Sequence, residues 1–354
     1  MSNLVRNCWY VAGWSHDITR EPQQRMLLGE PVVLYRREDG EPVALEDRCV
    51  HRLAPLSLGR VEGDNIRCLY HGFQFDPAGR CREIPGQETI PNRACVKTYP
   101  VCEKNSWVWV WMGDPDRADP ARIANSKALD DPAWVLKTGQ IDYEANYELI
   151  NDNLLDLTHL AYVHAASFGA DEAWSRNRPK IERIPEGVRS SRWIVDSPPI
   201  PPLGEAASHE RVDIWTSYDF VLPGVFLLFT AMYTAGTADA CGGEAPGLEH
   251  RVLFNNFTSQ AVVPTSVKTA RYYYSWGPGA EFGDEAVAQL MIDTATMAFH
   301  EDKVMIEAQQ RVIDNDPSRL PMPATADRAI TIFQRLMRSQ DGDAPSADAL
   351  ADLD

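Results

Sequence analysis

Two short blocks, Cys49-Val-His51 and Cys68-Leu-Tyr-His71, bring two thiols and two imidazoles to mirrored spacings, with residues 52–67 between them. Each block supplies one Cys and one His, donors that soft and borderline metals prefer. Four such ligands serve either a tetrahedral zinc ion or a two-iron, two-sulfide cluster with two Cys on one iron and two His on the other. The spacing favours the cluster. Zinc-finger ligands come as a close Cys pair and a separate His pair. Here each loop mixes the two, so two similar loops can clasp one object and give a ligand to either end. Gly72, directly after the second His, and Gly59, between the loops, stand where backbone is expected to pass close to a cluster.

A second constellation lies in Asn151-Asp-Asn-Leu-Leu-Asp-Leu-Thr-His-Leu-Ala-Tyr-Val-His164. Asp152 to Asp156 is an i, i+4 step and Asp156 to His159 an i, i+3 step, so these three are expected to share a helix face. His159 and His164 are five residues apart, a spacing that a regular helix turns by about 140°. Both reach one metal only if the helix ends or bulges between them; alone, the pair reads equally well as interior histidines.

Two His with one carboxylate leave coordination positions open for oxygen and substrate, the arrangement of a mononuclear non-haem iron oxygenase. The carboxylate is expected on a long helix from about Asp284 to Val312, a stretch without Pro or Gly. At about 100° per residue, Met291, Ala295, Ala298, Met305, Ile306 and Ile313 form an apolar stripe, with Asp302 in its middle and Asp293, His300, Glu307 and Arg311 opposite. A buried, unpartnered carboxylate is costly, so Asp302 calls for a metal or a basic partner. Glu301 is the second choice of ligand, and an ion pair from Asp302 to an Arg or Lys elsewhere stays open.

These residues need a scaffold. The 354 residues suffice for about two domains. Residues 1–115 read as all-β: Pro31–Tyr35, Pro42–Leu45, Ile66–Cys68, Phe73–Phe75 and Ser106–Trp111 are β-branched or aromatic runs bounded by turn residues. Trp107, Trp109 and Trp111 are expected to pack in the core. The turn-rich Gly113–Pro120 marks a boundary, residues 116–340 form the second domain, and the acidic tail 341–354 is expected to be disordered.

There is no apolar run of membrane-spanning length and no signal-peptide pattern in the opening residues, so a cytoplasmic location is expected. A net charge of −17 without a basic patch argues against nucleic-acid binding. An acidic face suits plain solubility or the steering of a more basic electron donor. Of seven Cys, those outside the two blocks (Cys8, Cys81, Cys95, Cys102, Cys241) are expected to be free and mostly buried.

Cys49-x-His51 and Cys68-x2-His71, followed by Asp-x2-His-x4-His at 156–164, resemble the oxygenase component of Rieske non-haem iron oxygenases over essentially the whole chain. The opening Asn7-Cys-Trp-Tyr-Val-Ala12, the Asp152–His159 segment and Glu301-Asp-Lys303 look most like the group of vanillate O-demethylase, toluenesulfonate methyl-monooxygenase and dicamba O-demethylase. Val50, Leu69 and Phe73 depart from the residues common in the family, and none is a ligand. The resemblance implies an α+β chain, with an N-terminal all-β Rieske domain and a C-terminal helix-grip domain, an antiparallel sheet around a long helix. It implies a [2Fe-2S] cluster on Cys49, His51, Cys68 and His71, and a mononuclear Fe(II) on His159, His164 and Asp302, with O2 as co-substrate. Homotrimers arranged head to tail are expected. There the catalytic Asp156 would bridge a neighbour's cluster ligand, His71, to His159 of its own subunit, a role suited to a carboxylate that orients a ligating imidazole.

The activity so implied is hydroxylation of a methyl or methoxy carbon of a small aromatic acid, the methoxy product collapsing to a phenol and formaldehyde. Electrons would come from a separate NAD(P)H-dependent reductase of flavin and ferredoxin type, since no dinucleotide fingerprint follows a strand here. Two other readings stay open: an aromatic-ring cis-dihydroxylating dioxygenase, and a Rieske electron-transfer protein without oxygenase chemistry. The substrate pocket is expected along Asp213–Phe229, Val252–Phe257 and Arg271–Trp276, with Arg271 or a nearby Asn or Gln as the candidate for the substrate's anion. Pro198–Gly204 and Thr237–Gly243 are expected as long loops near its entrance.

Overall fold

The computed structural model describes residues 4–164, 167, 178–199 and 204–340. Two compact units divide them: residues 4–123 together with 263–267, and residues 124–262 together with 268–340. The acidic tail, and residues 200–203 of the Pro198–Gly204 loop, lie outside the described residues. Among the described residues no helix is long and apolar enough to cross a membrane.

The first unit is built from short antiparallel strands: β1 (Cys8–Trp14), β2 (Gln23–Leu27), β3 (Glu30–Arg36), β4 (Pro42–Glu46), β5 (Arg60–Glu62), β6 (Asn65–Arg67), β7 (Gln74–Phe75), β8 (Cys81–Glu83), β9 (Val101–Lys104) and β10 (Trp107–Met112). They form three sheets, in the orders β1-β10-β9, β2-β3-β4 and β5-β6-β7-β8. All six residues of β10 are buried, so the strand is covered on both faces. Trp111 meets Trp9 edge-on at 5.5 Å and Trp107 meets Trp14 at 5.1 Å, aromatic contacts that add to simple burial. The Gly113–Pro120 stretch contributes two 3-10 turns whose first N–H groups are capped by Asp114 and Asp119. The Cys49 block follows β4 and the Cys68 block lies between β6 and β7, so ladder pairing on either side fixes both loops.

The second unit holds one seven-stranded sheet, ordered β11-β17-β16-β15-β14-β13-β12. Its strands are β11 (Lys137–Tyr143), β12 (Lys180–Ile184), β13 (Gly187–Ser197), β14 (Val212–Val221), β15 (Val225–Thr234), β16 (Phe254–Pro264) and β17 (Ala270–Pro278). Among the described residues its α-helices are α1 (Tyr147–Leu155), α2 (Leu160–Val163), α3 (Thr237–Ala240), α4 (Glu285–Asn315) and α5 (Arg328–Gln340). Side chains alternate across a strand, and the register sets Arg192 opposite Thr216, Thr216 opposite Thr230 and Thr230 opposite Asn256. That row lies on the face that α4 covers. Phe299 of α4 packs on Tyr272 and Tyr274 at 5.0 and 4.7 Å, and the Tyr274 and Thr296 hydroxyls are hydrogen-bonded at 2.8 Å.

Helix α4 starts where the sequence places it, with the Asp284 carboxylate accepting the N–H groups of Ala286 and Val287. Its buried residues run Ala288, Met291, Ile292, Ala295, Ala298, Asp302, Ile306 and Gln310. The expected stripe is therefore corrected at two positions: Met305 and Ile313 are exposed. The buried line drifts round the helix from Met291 toward Gln310, which leaves Met305 on the trailing edge, and Ile313 lies in the last turn.

Two further expectations change. Of the five extra cysteines only Cys8 and Cys81 are buried; Cys102 and Cys241 are half-buried and Cys95 is exposed. Thr237–Gly243 is not a plain loop: it opens with α3, whose first turn is held by Asp213 Oδ2 accepting from the N–H groups of Gly236 and Ala238 at 2.9 Å each.

Candidate metal centres

The two Cys-His loops are conformational twins. In the first, Leu53 N–H donates to the Cys49 carbonyl at 2.9 Å, Cys49 N–H donates to Ala54 O at 2.8 Å, and Leu53 has φ +58°. In the second, Gly72 N–H donates to the Cys68 carbonyl at 2.9 Å, Cys68 N–H donates to Phe73 O at 2.8 Å, and Gly72 has φ +76°. One left-handed residue closes each loop, which glycine adopts without cost and leucine does not. Gly59 has a different reason from the expected one. An added Cβ would meet the Arg67 carbonyl oxygen at 2.3 Å, so the close approach of β6 by itself requires glycine there.

The loops bring their four donors together in two tiers. Cys49 and Cys68 are buried among Val33, Leu45, Leu56, Ile66 and Phe75. His51 and His71 are exposed, with ring centroids 4.6 Å apart. Burial pushes the Cys49 thiol up to about 11, with the neighbouring Cys68 adding to the effect; bound metal would instead hold both as thiolates. A sunken thiol pair beneath an exposed imidazole pair fits a two-iron cluster with sulfur ligands at its inner iron and histidines at its outer one.

The second group assembles at the break after α1. Asp156 leaves the helix at φ −119° and ψ 97°, its carboxylate accepts the Thr158 N–H at 2.9 Å, and a 3-10 turn follows over Leu157–His159. The short α2 then ends at His164. The chain thus breaks before His159, not between the two histidines, and no bulge is needed. Asp152 consequently does not share a face with the ligands: both its carboxylate oxygens accept from Gln334 of α5, at 3.0 and 3.1 Å.

His159, His164 and Asp302 present donor atoms that all lie within 4.8 Å of one another. Asp302 Oδ1 is 3.1 Å from His164 Nε2 and 3.6 Å from His159 Nε2, and it accepts from Asn153 Nδ2 at 3.2 Å. Among the described residues the partners facing this buried carboxylate are imidazoles and an amide, not the Lys or Arg left open by the sequence. Burial opposes a charge on His164, but the Asp302 and Glu301 carboxylates outweigh it and hold its pKa above the ordinary value. Two neutral imidazoles and one carboxylate converging on a point are the donor set for a non-haem iron with open positions. Glu301 belongs elsewhere: its Oε2 is 2.8 Å from His164 Nδ1, the ring edge opposite the convergence. The sequence offered Asn153 no role and put Glu301 forward only as a second choice of ligand, because neither contact has a spacing signature.

Beside the Asp156–Thr158 turn lies a cavity of ≈ 450 Å³, lined among others by Arg192, Thr216, Tyr218 and Phe220. Arg192 is only 8% exposed, and burial brings its pKa down to about 10 against the opposing effect of Asp156. Arg178 and Arg328 also line the cavity but are exposed, whereas Arg192 is buried, and the sequence did not single it out. Arg271, which the sequence did, forms a two-bond pair with Asp142 at 2.6 and 2.8 Å. It alternates with Tyr272 and so points to the other side of β17, away from α4.

An all-β unit carrying paired Cys-His loops, joined in one chain to a sheet whose long helix completes a two-His, one-carboxylate site, defines a Rieske non-haem iron oxygenase. Residues 8–100 match the Rieske [2Fe-2S] domain family and residues 143–340 the vanillate O-demethylase oxygenase C-terminal domain family. The toluene-4-sulfonate monooxygenase system iron-sulfur subunit of Comamonas testosteroni is 41% identical over 96% of this chain and 99% of its own length. A vanillate O-demethylase oxygenase subunit from a Pseudomonas strain is 34% identical over 89% of this chain and 88% of its own. The crystal structure of dicamba monooxygenase bound to dicamba superposes with a TM-score of 0.83 at 28% identity, covering 96% of this chain and 98% of that one. The chain belongs to the Rieske non-haem iron monooxygenase family, as an oxygenase component of the vanillate O-demethylase type. Its cofactors are a Rieske [2Fe-2S] cluster and a mononuclear non-haem iron, and O2 is its co-substrate.

Proposed function

We propose that this oxygenase hydroxylates a methyl or methoxy carbon of a small aromatic acid, with O-demethylation and formaldehyde release as the leading activity. The observation that carries the reading is the convergence of His159, His164 and Asp302 beside an inner sheet face that bears aromatic side chains and one buried guanidinium. The relatives' names point the same way, to toluene-4-sulfonate and vanillate. When bound, the cluster supplies single electrons and the mononuclear iron activates O2. For a methoxyarene the balance is one O2, two electrons and two protons in, with phenol, formaldehyde and water out.

The chain's own groups do the positioning. Cys49, His51, Cys68 and His71 hold the cluster, and His159, His164 and Asp302 hold the iron. Tyr218 and Phe220 offer the ring a wall, and Arg192 offers a carboxylate or sulfonate a charge-assisted hydrogen bond.

Electron delivery fits a head-to-tail homotrimer. The exposed His51 and His71 edges are surrounded by Leu53, Leu69 and Tyr70, exposed by 69, 55 and 62%, an apolar collar of the kind that interfaces cover. On the catalytic unit the matching group is Asp156, in the role of a bridge to a neighbour's His71. A separate NAD(P)H-dependent reductase feeds the cluster.

The test is a panel of methoxylated and methylated benzoates and arenesulfonates, assayed with reductase and NADH. The reading expects one formaldehyde and one phenol per NADH from a methoxylated acid, or a benzylic alcohol from a methylated one. A cis-diol product would favour the dioxygenase reading, and no substrate-dependent O2 uptake from any anionic arene would refute both.

A further inference from the structure

Two consecutive residues of α4 grip one imidazole from opposite edges. Asp302 Oδ1 lies 3.1 Å from His164 Nε2, and Glu301 Oε2 lies 2.8 Å from His164 Nδ1. Successive helical side chains diverge by about 100°, which lets neighbours reach either side of a ring set between them. Glu301 is anchored in turn: Ser167 Oγ donates to the same Oε2 at 2.7 Å. His159 turns its Nδ1 to a different acceptor, the neutral backbone carbonyl of Asp156, at 2.6 Å.

An imidazole that ligates through Nε2 gives up that lone pair, so its remaining proton sits on Nδ1. On His164 this N–H meets an anion; on His159 it meets an amide oxygen. A charge-assisted bond is the stronger of the two and leaves more electron density on the ligating nitrogen. The two histidines are therefore unequal ligands by construction. Asp302 and Glu301 also bring two negative charges to the surroundings of a dication, one nearly fully buried and the other 31% exposed.

We propose that Glu301 is a positioning residue of the iron site, which fixes the tautomer and ring plane of His164 and makes it the firmer of the two histidine ligands. It acts through His164 and touches no reacting atom. The proposal rests on the iron-site reading above.

The test uses purified full-length chains with the cluster intact and the mononuclear metal removed by mild chelation, then titrated with Co(II) as the probe. Glu301→Gln is expected to weaken Co(II) binding by roughly ten- to a hundredfold and to shift the Co(II) visible absorption, with cluster absorbance and melting temperature unchanged. Glu301→Asp, which keeps the charge on a shorter arm, is expected to recover part of the loss. His164→Ala should lose more affinity than His159→Ala. Ser167→Ala, which removes only the anchor, should weaken binding severalfold and serves if Glu301→Gln does not fold. Wild-type affinity and spectrum in both Glu301→Gln and Ser167→Ala would overturn the proposal alone. A wild-type chain that binds no metal beyond the cluster would overturn the iron-site reading and the proposal with it.

Discussion

His159 Nδ1 donates to the backbone carbonyl of Asp156 at 2.6 Å, while the Asp156 carboxylate accepts from Thr158 at 2.9 Å. The resemblance implied a carboxylate bond from Asp156 to His159. Within one subunit it is the main chain of Asp156 that orients the His159 imidazole, and the side chain caps the turn. An Asn can accept the same Thr158 N–H. Asp156→Asn is thus expected to retain both metal sites and the fold, yet to lose most turnover, on the order of ten- to a hundredfold, if Asp156 is the anionic bridge to a neighbour's cluster ligand in the proposed trimer, a role that a neutral amide cannot fill. Wild-type rates in the presence of reductase would remove Asp156 from the electron path.

Arg192 and Arg271 separate the inner from the outer face of the sheet. Arg192→Gln is expected to raise KM for an anionic arene by roughly ten- to a hundredfold, the worth of a hydrogen bond to a charged group at about 1.5–3 kcal/mol, and to leave a neutral ester analogue unaffected. Arg271→Gln breaks a partly exposed pair with Asp142, worth about 0–1 kcal/mol, and should leave KM unchanged. Steady-state kinetics of both variants decide the matter: equal KM shifts, or a shift at Arg271 alone, would contradict the assignment.

Asp152 makes stability depend on pH. Burial pushes its carboxyl up to about 7 from an ordinary 3.8, partly offset by the Gln334 hydrogen bonds, and Glu148 and Asp327 add to the rise. Between those values the folded chain keeps a proton that the unfolded chain has lost, so stability falls as pH climbs from about 4 to 7 and levels off above. Asp152→Asn removes this penalty and still offers Gln334 an acceptor. We expect about 1–3 kcal/mol of stabilisation at pH 8, a few degrees in melting temperature, and a clearly smaller gain at pH 5. Equal gains at both pH values would refute the ionisation argument.

How far the sequence could be read depends on whether a feature leaves a spacing. The Cys-His blocks do, because each ligand pair sits in one loop, whereas the left-handed closure at Leu53 leaves no trace in its residue type. Helix α4 does, through Asp284 and the absence of Pro and Gly, and Asp302 stood out as a charge on an apolar stripe. Contacts made across the fold leave no such trace. The apolar stripe picks out Asp302, but nothing in the sequence shows that Glu301 meets the opposite edge of His164. Arg192 and Arg271 are both strand arginines, and the register of β13 and β17 decides which one faces α4. Met305 fell outside the core because the buried line drifts along a helix of 31 residues, a tertiary effect that a fixed angular step misses.

In the proposed iron site, Asp302 is the shared carboxylate on which metal binding would depend. Asp302→Ala leaves two imidazoles and the Asn153 amide without their common carboxylate, so this iron should be lost while the cluster, held in the other unit, keeps its absorbance.

The most direct test of the whole account is the iron and acid-labile sulfide content of the purified chain, measured alongside Asp302→Ala. The account predicts about three irons and two sulfides per wild-type chain, falling to about two irons and two sulfides in Asp302→Ala. Two irons in both would leave an electron carrier with no oxygenase site, and zinc without sulfide would contradict the Rieske centre itself.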